Sequence, residues 1–157
     1  MKPVFQTIKH EPAEGRFGDC HRAAIATVLE LPIEDVPHFL HDNCGGVEFV
    51  RRETEFLASH GLCPISVVYA NTELNLVLST VAALNGDDVV YLLCGKSRTG
   101  CNHSVVCRGD RIAHDPSPQQ SGIIGPTDEG TYCLTFFADR RVSKHADELP
   151  KPHRVSA

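Results

Sequence analysis

The sequence predicts an α+β fold, with N-terminal helices packed on a C-terminal antiparallel sheet. Three observations predict it. The run from Cys20 to Leu29 carries small or apolar side chains on most sides, as a helix inside the protein does. Strand-like runs gather in the second half, at Asp88 to Cys94, His103 to Cys107, Arg111 to Asp115 and Tyr132 to Phe137. Helices thus come first and strands later, the α+β order rather than a βαβ alternation. At 157 residues, with 41% hydrophobic and 22% charged, the chain suits one domain with a sizeable core. Its extent is residues 1–139, with 140–157 a polar, poorly ordered tail holding Pro150 and Pro152.

Taken in order, residues 3–7 suit a short extended piece, and Lys9 to Phe17, with Pro12 and Gly15, a polar loop. Asp19 stands where a helix N-cap belongs and Cys20 at the first helical position; Pro32 ends that helix. Ile33 to Phe39 suggests a short second helix. After the Asn43-Cys44-Gly45-Gly46 turn, Val47, Val50, Phe56 and Leu57 keep a helical period, with Gly61 as the C-terminal cap. Ile65 to Tyr69 reads as a strand, and Leu74 to Leu84 as a helix closed by Asn85-Gly86. Residues 95–102 form a loop, Arg108-Gly109-Asp110 a hairpin turn, and Pro116 to Gly130 a long loop before the last strand.

A formal charge of −5 argues against non-specific nucleic-acid binding as the main activity. No apolar run approaches the roughly 20 residues that cross a membrane, and Met1 to Gln6 lacks the apolar core of a secretory signal. The expectation is a cytoplasmic protein. Seven cysteines, an odd number, are then reduced thiols: buried filler, metal ligands or a nucleophile.

Gly18-Asp19-Cys20 is the stretch with chemistry in it. A helix N-terminus, with partial positive charge and unpaired N–H groups, favours a thiolate and a developing oxyanion. Of nine histidines, His21 points about 100° from the sulfur and six others lie in loops, surface-type segments or the tail. His103 begins a strand after a loop, a good seat for a base, and Asp115 ends the next strand where Pro116 breaks it. A carboxylate there would accept the imidazole Nδ1–H.

The hairpin register decides whether they meet. A three-residue loop at 108–110 sets His103 opposite Asp115. A two-residue turn at Gly109-Asp110 instead moves His114 onto the histidine's face, and a bulge would restore Asp115. Asp115 is favoured over His114 because a carboxylate orients imidazole better than a second imidazole does.

Gly18-Asp19-Cys20 opening a helix, then Asn102-His103-Ser104-Val105-Val106, then Ala113-His114-Asp115-Pro116, resembles papain-like cysteine peptidases. The likeness is to the small bacterial double-glycine leader peptidases and related phage and bacterial proteins, and spans about residues 4–137. It implies Cys20 as nucleophile, His103 as general base and then acid, Asp115 as orienter, and no metal or cofactor. It also implies an oxyanion-hole glutamine, for which Gln6 is the candidate as the only glutamine upstream of Cys20. Gln6 lies 14 residues before Cys20, farther than the family keeps it, so Lys9 to Phe17 must fold out as an insertion. His21 replaces the family's usual glycine after the cysteine.

The substrate would be a peptide, a protein or a small amide, with hydrolysis and acyl transfer both compatible with these residues. Blander readings compete. Cys20 alone would be a packed helix-start residue, His103 alone a structural histidine, and Asp115-Pro116 alone a turn starter. Cys94, Cys101, His103 and Cys107 invite a Cys₃His zinc site, although no Cys-x-x-Cys pair is present. The same fold without turnover would serve as a binding or inhibitor module.

Overall fold

In the computed structural model, which describes residues 1–140, the Ala-rich run forms helix α1 (Cys20–Leu29). Its small residues let it sink inward: Ala23, Ala24, Ile25 and Ala26 are fully buried. Helix α2 spans Gly46–Ser59, and Gly61, at φ +74°, closes it by donating its N–H to the Ala58 carbonyl. Helix α3 spans Leu74–Asn85 and closes at Gly86. The short helix expected over Ile33 to Phe39 is instead a single 3₁₀ turn, Ile33–Asp35. Pro37 forces the change, because a residue before proline avoids the helical region, and Val36 is extended at φ −103°, ψ 127°. Val36 and Phe39 still pack against α1.

Five strands make one antiparallel sheet: β1 (Leu62–Ala70), β2 (Val90–Lys96), β3 (Asn102–Arg108), β4 (Arg111–His114) and β5 (Thr131–Asp139), in the order β1-β5-β2-β3-β4. The α+β class is as the sequence predicts, and β1 precedes α3 as the strand at Ile65 to Tyr69 and the helix at Leu74 to Leu84 imply. Helices cover both faces of the sheet. Leu92 and Val106 join Ile25 of α1 and Leu57 of α2 in one core, while Tyr91, Leu93, Val105 and Cys107 join Val77 and Val81 of α3 in the other. β3 is consequently buried at all five positions from His103 to Cys107. The expected disorder of the tail lies outside the described residues, save Arg140, whose N–H donates to the Gly61 carbonyl. Among the described residues no helix is long and apolar enough to cross a membrane.

Candidate active site

Cys20 is the first residue of α1, and Asp19 takes the N-cap position without capping. The Asp19 carboxylate turns back to the N-terminal segment, accepting the Thr7 N–H (2.9 Å), the Ile8 N–H (2.8 Å) and the Thr7 hydroxyl (2.8 Å). Two consequences follow. The N–H groups of Cys20, His21 and Arg22 have no acceptor among the described residues and stay available beside the sulfur. The segment carrying Gln6 is also fastened next to Cys20, while Lys9 to Phe17 folds out through a 3₁₀ turn (Pro12–Glu14) and a bridge between Glu11 and Arg16. Residues 9–17 thus fold out of the way, so that Gln6 and Cys20 come together across a gap of 14 residues. Gln6 lines the same cleft as Cys20 and His103, its Nε2 making only a long bond to the Ile8 carbonyl (3.4 Å).

The hairpin carries the imidazole and the carboxylate. Its turn has two residues, with Arg108 opposite Arg111; Gly109 at φ +57° and Asp110 at negative φ give the type II′ signature. A bulge then intervenes: Cys107 faces Ile112, but Val106 faces His114, leaving Ala113 as the extra residue. That step carries Asp115 onto the His103 side of the strand pair and His114 onto the opposite side. His114 Nε2 accordingly donates to the Val4 carbonyl (2.7 Å), with its ring edge-on to Phe5. Asp115 Oδ1 bonds His103 Nε2 at 2.7 Å. The ring atom differs from the expected Nδ1. Nε2 points to the carboxylate, which leaves Nδ1 as the ring nitrogen open to Cys20, a residue of the same cleft.

Asp115 is held by more than the histidine. Ser117 N–H donates to Oδ1 (2.8 Å) and Gly122 N–H to Oδ2 (2.7 Å), so the 116–130 loop wraps around it. Burial opposes its ionised form, but the His103 bond and these two N–H donors outweigh that and hold its pKa below the ordinary value. Burial likewise works against the charged imidazole. The Asp115 and Cys20 partners outweigh it and push His103 up to about 9. Imidazolium is thus the favoured form between a carboxylate and a thiol.

His21 and Glu53 went unnoticed in the sequence as a pair. His21 Nε2 meets buried Glu53 at 2.8 Å and its Nδ1 meets Ser104 Oγ at 3.1 Å, tying α1 to α2 and β3 directly behind the cysteine. No spacing signal links residues so far apart. Asp115 does carry one: the Asp-Pro-Ser turn that reads as a bland turn starter is present, and its Ser117 N–H bond helps to fix the carboxylate. Both readings of Asp115 are met by one side chain.

The four residues of the zinc reading are not gathered. Cys107 lies fully buried in the α3 core, and burial pushes both its thiol and that of Cys94 up to about 12. Among the described residues, no group of three or more His, Cys, Asp or Glu side chains is placed to hold a metal ion. No family model, curated protein sequence or solved structure matches the chain.

Proposed function

We propose that the protein is a cysteine-dependent hydrolase of the papain-like peptidase type, cleaving an amide, ester or isopeptide bond through a thioester. The observation that carries the reading is the His103 ring, bonded to Asp115 at 2.7 Å and lining the same cleft as Cys20 at the start of α1. In this reading Cys20 and His103 form a thiolate–imidazolium pair, and the sulfur attacks the substrate carbonyl carbon. The carbonyl electron pair moves to oxygen, and the helix-start N–H of Cys20, with the Gln6 side chain, receives the oxyanion. As the tetrahedral intermediate collapses, the C–N bond breaks and His103 gives its Nδ1 proton to the leaving amine. Water, deprotonated by His103, then attacks the thioester and frees the acid and the thiol. An amine in place of water gives acyl transfer by the same steps. Asp115 is the positioning residue for the ring.

Electrophilic activity probes of three kinds (ubiquitin-like, peptide and small amide), read by mass spectrometry, test the proposal. The expected result is an adduct at Cys20 ahead of the other six thiols, with labelling slowed about 10²-fold or more in His103→Ala. Cys20→Ala should abolish turnover with the fold intact, since alanine suits a helix start. Equal labelling of Cys20 and exposed Cys63, unaffected by His103→Ala, would overturn the proposal.

A further inference from the structure

The cleft over Cys20 encloses about 330 Å³, and its lining is chemically one-sided. Its lining includes Lys9 and His10 of the folded-out loop, Thr99 of the β2–β3 connection, Asn102 at the start of β3, and Gln119 and Ser121 of the 116–130 loop. No aliphatic, aromatic, Asp or Glu side chain lines it, in a chain that is 41% hydrophobic and has 20 acids. A large apolar side chain would find no Leu, Ile, Val, Phe or Tyr to pack against there.

The nearby carboxylates are otherwise engaged: Asp19 with Thr7 and Ile8, Asp115 with His103, Asp128 with Lys96 at 2.6 Å. Hydrogen-bond donors remain. His10 Nδ1 accepts the Gly18 N–H (3.2 Å), so its proton sits on Nε2, which is a donor. Gly18 permits this approach, since a Cβ there would lie 3.0 Å from the Cβ of His10. Asn102 Oδ1 accepts the Asp128 N–H (3.2 Å), leaving its amide NH₂ to donate. The Lys9 ammonium is 67% exposed and meets Glu11 at 3.1 Å; Glu11 also pairs with Arg16, and such an exposed contact holds weakly. Arg98, between cleft residues Ser97 and Thr99, is exposed, bonds the Gln120 carbonyl (3.4 Å) and has no carboxylate partner among the described residues.

Resting on the hydrolase reading, we infer that the cleft selects an acyl donor bearing a carboxylate, namely an acidic peptide segment with Asp or Glu beside the scissile bond. A carboxylate is the common side chain that suits both features: it accepts from the donors of the lining, and it draws on the positive charge of Lys9 in the lining and of Arg98 at its rim, next to Ser97 and Thr99. Because the chain as a whole is negative, at −5, this local cationic arc is what admits an anion to the nucleophile.

Paired alkylation measures the local field. Iodoacetate and iodoacetamide deliver nearly the same reagent with and without a negative charge, and their rate ratio cancels the intrinsic reactivity of each thiol. Cys63, exposed, is the internal reference. At low salt the ratio at Cys20 is expected to exceed that at Cys63 roughly tenfold. It should fall about fivefold in Lys9→Glu/Arg98→Glu, with Lys9→Gln/Arg98→Gln between. His103 is present in every variant, so the decrease reads Lys9 and Arg98 alone; a ratio unmoved by charge reversal overturns the inference.

Quenched-peptide pools then test the segment itself. Pools with internal Glu and an amidated end should be cleaved fastest, ahead of Lys, Leu and Gln pools. A Gln pool with a free terminal carboxylate separates a terminal from a side-chain source, and its leading would overturn the choice of an internal acid. Hydrolysis led by Lys or Leu pools overturns the inference and leaves the hydrolase reading standing. Failure of every pool counts against the hydrolase reading, and the alkylation ratio still decides whether the cleft selects anions.

Discussion

His103 is where structure and chemistry meet most tightly. Burial alone would lower its pKa, yet Asp115 and Cys20 raise it to about 9. On the proposed hydrolase reading, kcat/KM should therefore fall on the alkaline side near pH 9, as the imidazolium that would protonate the leaving group is lost. Asp115→Asn keeps the shape but removes the charge, so the alkaline limb should move toward 6.5, the ordinary histidine value, and kcat should drop on the order of 10²–10⁴. A pH–rate profile of both proteins checks this. An alkaline limb that stays in place would detach Asp115 from the titration. The same shifts bear on stability. The contribution of His103, raised on folding, is full below 6.5 and lost as pH rises through about 9. That of Asp115, lowered on folding, is present above 3.8 and lost as pH falls through its folded value. At this scale the sequence was legible: Cys20, His103 and Asp115 stand out by residue type and position. The ring nitrogen facing Asp115 was not, because strand orientation rather than composition sets it.

At the scale of elements, the site depends on two joints. The first is Asp19, 1% exposed, which fastens residues 7 and 8 to the start of α1. Asp19→Ala would strand two backbone donors and release the segment bearing Gln6, at a cost of about 2–4 kcal/mol. Urea unfolding should show a lower midpoint at unchanged slope, and kcat should fall further than the stability loss explains if Gln6 serves the oxyanion. An unchanged midpoint would show that the segment is held elsewhere. The second joint is the Ala113 bulge, which decides between Asp115 and His114. The sequence held both hairpin outcomes open because Gly109-Asp110 signals a two-residue turn, whereas a bulged alanine has no composition of its own. Asp19 was legible as a helix boundary but not as a latch. An aspartate at an N-cap position satisfies the helix or another partner, and only the packed N-terminal segment reveals which.

For the whole molecule, the order of helices and strands was readable from periodicity, because burial on one side imposes it locally. The covering of both sheet faces was written more faintly, in strands that run apolar rather than alternating, such as Leu92-Leu93 and Val105-Val106. This double cover sorts the cysteines. All seven are free, and they differ in environment: Cys20 opens onto the cleft, Cys63 faces solvent, and Cys107 is fully buried among Val81, Tyr91 and Leu93. Burial raises the Cys107 thiol to about 12, so in the folded chain it is both inaccessible and protonated at neutral pH. Its alkylation must wait for opening of the core between α3 and the sheet. For a domain of ordinary stability that protection is at least on the order of 10³-fold relative to the unfolded chain. Iodoacetamide labelling followed by peptide mass spectrometry should therefore order the thiols with Cys20 first, Cys63 next and Cys107 last. In subdenaturing urea the Cys107 rate should climb with the same slope as global unfolding. Rapid labelling of Cys107 under native conditions would place α3 on a separately opening unit and break the link between the two cores.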